Sequence, residues 1–432
     1  MTTPLLVLQR VFGYSAFRGA QESIIAHLIA GENAFVLMPT GGGKSLCYQI
    51  PALMRPGLAL VISPLIALMQ DQVDALRRRG VPAAYLNSAL DPLHAKQTHD
   101  DLLNDRLKLL YISPERLTQH SFLMLLDQLL ARRQLSLFAI DEAHCIAEWG
   151  HDFRPEYRQL HVLYQRYPGI PRVALTATAD LQTRQEITEQ LQLGTGNQFI
   201  ASFDRPNLHY CVSPKFSPGA QIETFLLKHH ARDSGIIYCQ SRRQVENTTF
   251  WLHSRGWHSL AYHAGLDTTL RERHQQQFVQ EAGIIMVATV AFGMGVDKPD
   301  VRFVIHLDSP RSLEGYYQET GRAGRDGKPA NALMLFHPND LITLRLRVQN
   351  QSRSPERQTI DRHKLEALAL YCQSSECRRR ALLSYFGETH TGYCDTCDNC
   401  NPDYRTWSGP EHRNHAVNFA ADRFTPGIHR TR

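Results

Sequence analysis

The stretch Ala34-Phe-Val-Leu-Met-Pro-Thr-Gly-Gly-Gly-Lys-Ser45 is an apolar run that breaks into a glycine turn and ends in Lys44-Ser45. It reads as a strand, a phosphate-cradling loop and a helix start. Along Thr40, Gly41, Gly42 and Gly43 successive backbone N–H groups can converge on phosphate oxygens. Lys44 offers a point charge to the β- and γ-phosphates, and the Ser45 hydroxyl suits a Mg²⁺ ligand. The strict pattern has glycine where this chain has Met38. For this stretch taken alone, a glycine-rich strand-to-helix turn without a nucleotide stays open as the alternative.

Two further groups suit work on phosphate. Leu137-Phe-Ala-Ile-Asp141-Glu142-Ala-His144 is a strand whose carboxyl end presents adjacent carboxylates, and ligands of parallel α/β sheets bind at that end. Asp141 is suited to a Mg²⁺ shell and Glu142 to orienting and deprotonating a water that attacks the γ-phosphate. His144 is expected to hydrogen-bond across to a neighbouring lobe. Farther on, Tyr316-Tyr-Gln318-Glu-Thr-Gly-Arg322-Ala-Gly-Arg325-Asp-Gly327 sets two arginines three residues apart among glycines. Their guanidinium groups could reach a neighbouring nucleotide and stabilise charge on a transferred phosphoryl group. A surface Arg-Gly turn is the plain alternative.

The fourth group is Cys377-x16-Cys394-x2-Cys397-x2-Cys400, which can close a tetrahedral four-sulfur site. Spacing leaves both structural zinc and an iron–sulfur cluster open. A closed zinc site would fold a module and catalyse nothing. Cys372 stands nearby but its spacing does not match. With Cys47, Cys145, Cys211 and Cys239 it reads as a reduced, packed thiol.

These groups need rigid elements to carry them. The chain has 432 residues, 43% hydrophobic and 21% charged, which excludes a disordered or fibrous class and leaves room for two to three domains. A net charge of +5 permits a polyanionic partner without requiring one. No stretch approaches the length of a membrane span, and Leu5-Leu-Val-Leu8 is too short for a signal-peptide core. A cytosolic protein with no membrane partner is expected. Short apolar runs at Leu58–Ser63, Leu107–Ser113, Leu137–Asp141 and Arg172–Thr178 alternate with helical stretches, as parallel βαβ units do. A second set follows Asp204-Arg-Pro-Asn207, at Gly235–Ser241, Ser259–His263, Ile284–Thr289, Val301–Asp308 and Ala332–His337. The expected fold is α/β, two tandem RecA-like lobes with parallel sheets and a small helical zinc-binding subdomain. The boundaries are 1–205, 206–340 and 341–407, with 408–432 a disordered tail. A helical segment is expected from Asp361 to Phe386, and little order after Cys400.

In this order, the loop, Asp141-Glu-Ala-His144, Thr176-Ala-Thr178 and Gln318 to Arg325 resemble superfamily 2 helicase motifs. More narrowly the chain resembles the RecQ family of DNA helicases, from about Val11 to Cys400. The most specific parts are Phe12-Gly-Tyr14-Ser-Ala-Phe17-Arg18 with Gln21, Cys145-Ile-Ala-Glu-Trp149-Gly-His151-Asp-Phe153-Arg154-Pro-Glu-Tyr157, and the four cysteines. The resemblance implies an ATP- and Mg²⁺-dependent 3′ to 5′ DNA helicase and translocase of recombination and repair, with zinc on the cysteines. It implies that Gln21 and Arg18 recognise adenine and Tyr14 stacks on it; Phe17 reads instead as packing against the first helix. The family usually has Pro-Gly where this chain has Gly19-Ala20, which loosens that loop. Asp297 matches a position that reports nucleotide state between lobes.

Trp149, His151, Phe153 and Arg154 then become a single-strand-sensing segment directly after the catalytic carboxylates. Further strand contacts are expected from loops on the same face, at Ser63, Ser113 to Arg116, Ser241, Arg242 and Thr289. The implied partners are single-stranded and tailed or forked duplex DNA. A single-stranded-DNA-binding protein or other repair proteins are the candidate protein partners of a monomer at the nucleoid. A DNA-binding scaffold with stimulated ATPase but little unwinding is the runner-up. An RNA helicase is disfavoured by residues 149–157 and the cysteine module. Family members commonly continue into a winged-helix domain, whereas 32 residues follow Cys400 here. A short form is expected, unwinding only short tailed duplexes, and less so as salt rises. Trp149→Ala should keep basal ATP turnover and lose most stimulation by single-stranded DNA. Steady-state ATPase rates with and without DNA read this, and unchanged stimulation would make the segment core.

Overall fold

Two parallel sheets carry the molecule. The computed structural model describes residues 3–86, 92–147, 154–194, 196–293, 298–350 and 354–407. In the first lobe, β1 (Ala34–Leu37), β2 (Leu58–Ile62), β3 (Ala83–Leu86), β4 (Leu109–Ile112), β5 (Leu135–Ile140), β6 (Arg172–Thr176) and β7 (Gln198–Ile200) lie in the order β3-β4-β2-β5-β6-β1-β7. In the second, β8 (Leu208–Pro214), β9 (Ser234–Tyr238), β10 (Ser259–Tyr262), β11 (Ile285–Ala288), β12 (Val301–His306) and β13 (Ala330–Phe336) lie in the order β10-β11-β9-β12-β13-β8. Every pairing between these strands is parallel. Helices cover both faces, so central strands are apolar on both sides rather than alternating. In β1, Phe35 and Leu37 enter one buried cluster while Ala34 and Val36 enter another on the opposite face.

Three strands were not foreseen, each for a local reason. β3 is Ala83-Ala-Tyr-Leu86, half alanine, a residue depleted in strands. β7 is three residues long and only partly covered, at the sheet edge. β8 directly follows Asp204-Arg-Pro-Asn207, pairs along its whole length with β13 and brings the chain from one lobe into the next. The expected helix over 361–386 is two helices, Pro355–Gln373 and Arg378–Tyr385, broken just before Cys377. Ser354 caps the first, its side chain accepting from Arg357 N, with Pro355 in the first turn where its missing N–H does no harm.

The expectation of little order after Cys400 fails for residues 401–407. Pro402–Thr406 forms a 3₁₀ turn, and Trp407 is buried with its ring 5.7 Å from Phe225 and 5.9 Å from His229. The expected tail, 408–432, lies outside the described residues. One buried cluster runs unbroken from Phe35 in the first lobe through Phe203 to Tyr316 in the second and Phe386 beside the cysteines. Both lobes and the cysteine module therefore share a core. At Gly235 the second sheet has no room for a side chain, since an added Cβ would lie 2.1 Å from the Phe303 ring facing it on β12. Gly235→Ala should destabilise the fold by about 1–3 kcal/mol in urea unfolding, and Phe303→Leu in the same chain should recover part of the loss.

Candidate functional site

The glycines of the 41–43 loop are each required by a neighbour. Gly41 and Gly43 hold φ near +79° and +78°, a region costly for any residue with a Cβ. An added Cβ would sit 2.9 Å from Pro39 O at Gly42 and 2.4 Å from Gln21 Nε2 at Gly43. Helix Lys44–Met54 starts directly from this turn, so its first N–H groups and positive dipole end open onto the loop. Lys44 Nζ donates to Met38 O at 3.1 Å and to Pro39 O at 3.4 Å. Burial pushes its ammonium below the ordinary lysine value, against Glu142 and Asp141, which favour the charge. Ser45 stands in the first turn of that helix, in the same cleft.

The carboxylates follow β5. Asp141 N donates to Ile62 O at 2.8 Å, which ties this strand end to β2. Glu142 takes a left-handed φ of 50°, uncommon for a residue with a side chain and characteristic of functional turns. The two acids are biased oppositely. Burial and then the Glu142 charge push Asp141 up to about 7. Glu142, which burial alone would push up, is held below the ordinary glutamate value by His144, Lys44 and Arg322. His144 Nδ1 lies 3.3 Å from Glu142 Oε2 and hydrogen-bonds Thr176 Oγ1 at 2.9 Å. The bond of His144 to Thr176 stays within its own lobe. Burial opposes its charge, yet Cys145 and Glu142 raise it to about 10.

Hydrogen bonds cross between the lobes in both directions. Gln318, on helix Leu313–Thr320, donates through Nε2 to Thr178 Oγ1 at 2.9 Å. Thr40 Oγ1 donates to Gly321 O at 3.2 Å, and an added Cβ on Gly41 would meet Arg325 Cγ at 3.2 Å. Arg322 and Arg325 therefore line the same cleft of about 1590 Å³ as Thr40 to Ser45 and Glu142. An isolated surface turn would not bring them there.

Tyr14, about half exposed, and Arg18 open onto this cleft. The Gln21 amide, expected to pair with adenine, is hydrogen-bonded within the protein here. Its Oε1 accepts from Arg18 N at 2.9 Å, and its Nε2 donates to Gly42 O at 3.1 Å and Gly43 O at 3.3 Å. These bonds tie the amide to the phosphate loop. Phe17 packs on the core of the first lobe, as expected.

The expected DNA contacts divide. Trp149, His151 and Phe153, with the nucleotide-state position Asp297, lie outside the described residues. Arg154 donates to Pro64 O at 3.2 Å, and Tyr157 is buried with its hydroxyl donating to Asp141 O at 3.0 Å. The far end of the aromatic segment thus touches the catalytic strand directly. Ser63 is 1% exposed, so its side chain lies in the core and not on a DNA-facing surface. A parallel strand end flanked by neighbours buries its first loop residue, which spacing alone did not reveal. Ser241 is exposed but its Oγ caps helix Arg242–Ser254 by accepting from Gln244 N at 3.2 Å. Arg242 is exposed beside Gly265, and Thr289 borders a separate small cavity near Asp308 and Arg347.

The four cysteine sulfurs lie within 4.8 Å of one another, Cys394 and Cys400 being 3.9 Å apart. Thiolates around one tetrahedral zinc, each at about 2.3 Å from it, stand at such separations. An iron–sulfur cluster puts several iron and sulfide atoms between its thiolates and would hold them farther apart. The donor set fits zinc. Backbone N–H groups of Arg378 and Arg380 approach Cys397 Sγ and Cys377 Sγ at 3.4 and 3.5 Å, and such donors favour the thiolate form. Cys372 stands outside the group, its sulfur 3.5 Å from Met334 Sδ.

Residues 18–187 match the DEAD/DEAH box helicase family, 219–327 the helicase conserved C-terminal domain and 338–401 the RecQ zinc-binding family. The chain is 48% identical over 407 residues to the ATP-dependent DNA helicase RecQ of Haemophilus influenzae, across 94% of this chain and 65% of that protein. It is 40% identical over 396 residues to the protein of the same name from Bacillus subtilis, across 91% and 66%. To the RecQ-like DNA helicase BLM of Xenopus laevis it is 40% identical over 434 residues, across 96% and 32%. The chain therefore spans just under two thirds of the two bacterial relatives' length. Among solved structures it is similar to S. cerevisiae Dbp5 bound to RNA and ADP BeF3, with a TM-score of 0.60 at 16% identity, covering 84% of this chain and 97% of that one. The DUF1998 helicase MrfA bound to DNA gives 0.63 at 20%, covering 85% and 56%. At these identities the likeness is one of fold. Purified protein should carry a single zinc and lack the visible absorption of an iron–sulfur cluster, and Cys397→Ser should lower both metal content and thermal midpoint. A brown, absorbing preparation would refute zinc.

Proposed function

The chain belongs to the RecQ family of helicases, and on that premise we propose that it is an ATP- and Mg²⁺-dependent motor that moves 3′ to 5′ along one DNA strand and separates duplexes. The observation that carries this reading is the approach of the arginine loop of one lobe to the phosphate loop of the other, with Arg325 packed on Gly41. Such an arrangement makes hydrolysis depend on closure of the lobes, and closure that alternates with opening is a stroke.

In this reading the N–H groups of Thr40 to Ser45 and the Lys44 ammonium grip the phosphates of ATP. Mg²⁺, held by Ser45 and Asp141, would neutralise charge on the β- and γ-phosphates. Glu142, biased toward its carboxylate, orients and deprotonates the attacking water. Arg322 and Arg325 meet the charge that builds on the γ-phosphoryl, and Gln318 registers closure through Thr178. Tyr14 and Arg18 face the base, while Gln21 secures the loop. Zinc is structural. Single-stranded DNA would lie across the loops that follow the strands, near Arg154, Arg242 and Thr289, as the substrate of a monomer at the nucleoid working with a single-stranded-DNA-binding protein. No helix among the described residues is long and apolar enough to cross a membrane.

Steady-state ATPase with single-stranded DNA tests the chemistry. Lys44→Ala should reduce turnover to background. Glu142→Gln should bind ATP normally and turn over on the order of 10²-fold slower, and Arg325→Ala on the order of 10³-fold slower with DNA affinity kept. Hydrolysis near the wild-type rate in the Lys44 variant would sink the assignment. Tailed DNA and RNA duplexes compared side by side should show unwinding of DNA only.

A further inference from the structure

The segment Asp204-Arg-Pro-Asn207 enters the sequence only as a boundary between lobes, yet it makes more directed hydrogen bonds than a tether needs. Arg205 donates through Nη1 to Gly321 O at 3.3 Å and through Nη2 to Ala323 O at 2.9 Å and Gly324 O at 3.1 Å. Asn207 Nδ2 donates to Gly324 O at 2.8 Å and Lys328 O at 2.9 Å, and Asn207 O accepts from Ala330 N at 3.0 Å. Apart from Lys328 O, the carbonyls that accept from these two side chains belong to Gly321-Arg-Ala-Gly-Arg325, the loop that carries both arginines. Gly324 holds a φ of 60°, and an added Cβ would lie 2.4 Å from Asn207 Nδ2. The glycine is therefore matched to the asparagine that reaches its oxygen. With its carbonyls turned to the linker, the loop has its arginine side chains in the cleft.

The cysteine module grips the same linker from the other side. Arg379 pairs with Asp204, and Glu388 accepts from Ser202 Oγ at 2.5 Å and Phe203 N at 2.7 Å. Phe203 stacks on Phe386 with ring centres 4.4 Å apart and 7° between planes. Ala201 N still donates to Leu37 O of the first lobe at 2.8 Å. The change from chain held by the first lobe to chain held by the module thus falls at about Ser202, and everything from Phe203 to Asn207 is braced.

We propose that Arg205 and Asn207 are positioning residues for hydrolysis, shaping the 321–325 loop so that Arg322 and Arg325 reach the phosphates, and that the cysteine module braces them through Phe203 and Asp204. This deepens the function proposed above and rests on it. Neither residue lines the cleft, so their loss acts by letting the arginines wander, and displacement of a catalytic group by about 1 Å can cost on the order of 10²-fold.

The test is a double-mutant cycle on the full chain, read as kcat and KM for ATP with saturating single-stranded DNA. Arg205→Gln should lower kcat on the order of 10-fold to 10²-fold with KM and DNA affinity within about twofold. Combined with Arg325→Ala it should lose less than the product of the two single losses, because one of the two arginines it positions is already absent. Arg205 is also a structural tie, so Asn207→Ala, at a half-buried position, is the second variant and should show the same non-additivity with a smaller loss. Losses that multiply in the double variants, or Arg205→Gln and Asn207→Ala at the wild-type rate beside an impaired Arg325→Ala, would overturn the positioning role alone. Wild-type turnover in Arg325→Ala would overturn the arginine's role and this proposal with it.

Discussion

Side chains from each lobe press on glycine backbone of the other where the two lobes touch at the cleft, and that closeness is the constraint on which the remaining structure depends. Thr40 reaches Gly321 O at 3.2 Å, while a side chain on Gly321 would lie 2.7 Å from Thr40 Oγ1 and one on Gly41 would press on Arg325. Glycine on both sides lets two loops from different sheets come within one hydrogen bond. The loops must then be held by other residues, since glycine itself supplies no stiffness. Gln21 does this for the first loop, binding Gly42 O and Gly43 O, and Arg205 with Asn207 does it for the second. In both cases a side chain outside the motif accepts the task of fixing carbonyl directions within it.

The cysteine module extends the same logic. Its link to the second lobe is main-chain pairing at the edge of the sheet, Tyr210 N donating to Thr396 O and Asp398 N to Tyr210 O, each at 3.0 Å. Buried Arg378 holds Asp398 through Nε at 3.0 Å and Nη2 at 3.2 Å, and Asp398 accepts from Val212 N at 3.1 Å. A paired guanidinium and carboxylate with their remaining positions satisfied is the form in which buried charge is tolerated. A second buried pair, Lys364 with Glu314 at 2.5 Å, joins helix Pro355–Gln373 to the helix that bears Gln318. The module therefore stands against the helix Leu313–Thr320 of the second lobe as well as beside the linker. A metal that closes its four sulfurs stabilises both contacts at a distance from the nucleotide.

The parts of this design that were legible in the sequence are those set by local chemistry. Glycines before Lys44-Ser45, paired acids after an apolar run and cysteines at short spacing each state their own geometry. The parts that were not legible depend on partners distant in sequence. Nothing within the residues around Gln21 shows that Gly42 and Gly43 will take its amide, and nothing near Asp204 to Asn207 shows that loop carbonyls beyond residue 320 will take Arg205. Ser63 illustrates the opposite failure. Its type suits phosphate contact, but burial among parallel strands depends on the sheet order, in which β4 and β5 flank β2. β8 is hard to read because a seven-residue strand directly after a proline-bearing joint has its pairing partner, β13, far away in sequence.

Adjacent carboxylates in one cleft would ordinarily compete for ionisation, and here the surroundings separate them. Asp141 lies under the hydroxyl of Tyr157, which binds its main-chain oxygen, and burial together with its neighbour's charge favours its neutral form. Glu142, turned out by its left-handed backbone, instead meets His144, Lys44 and Arg322, three groups that favour the carboxylate. One of those cations comes from the second lobe. The bias toward an ionised Glu142 therefore comes partly from across the cleft, and withdrawing the arginine loop would remove part of the field that favours its carboxylate. A divalent cation at Asp141 would draw that residue toward ionisation as well. In the proposed roles, closure arms the acid that needs to accept a proton, and the metal arms the acid that needs only to coordinate.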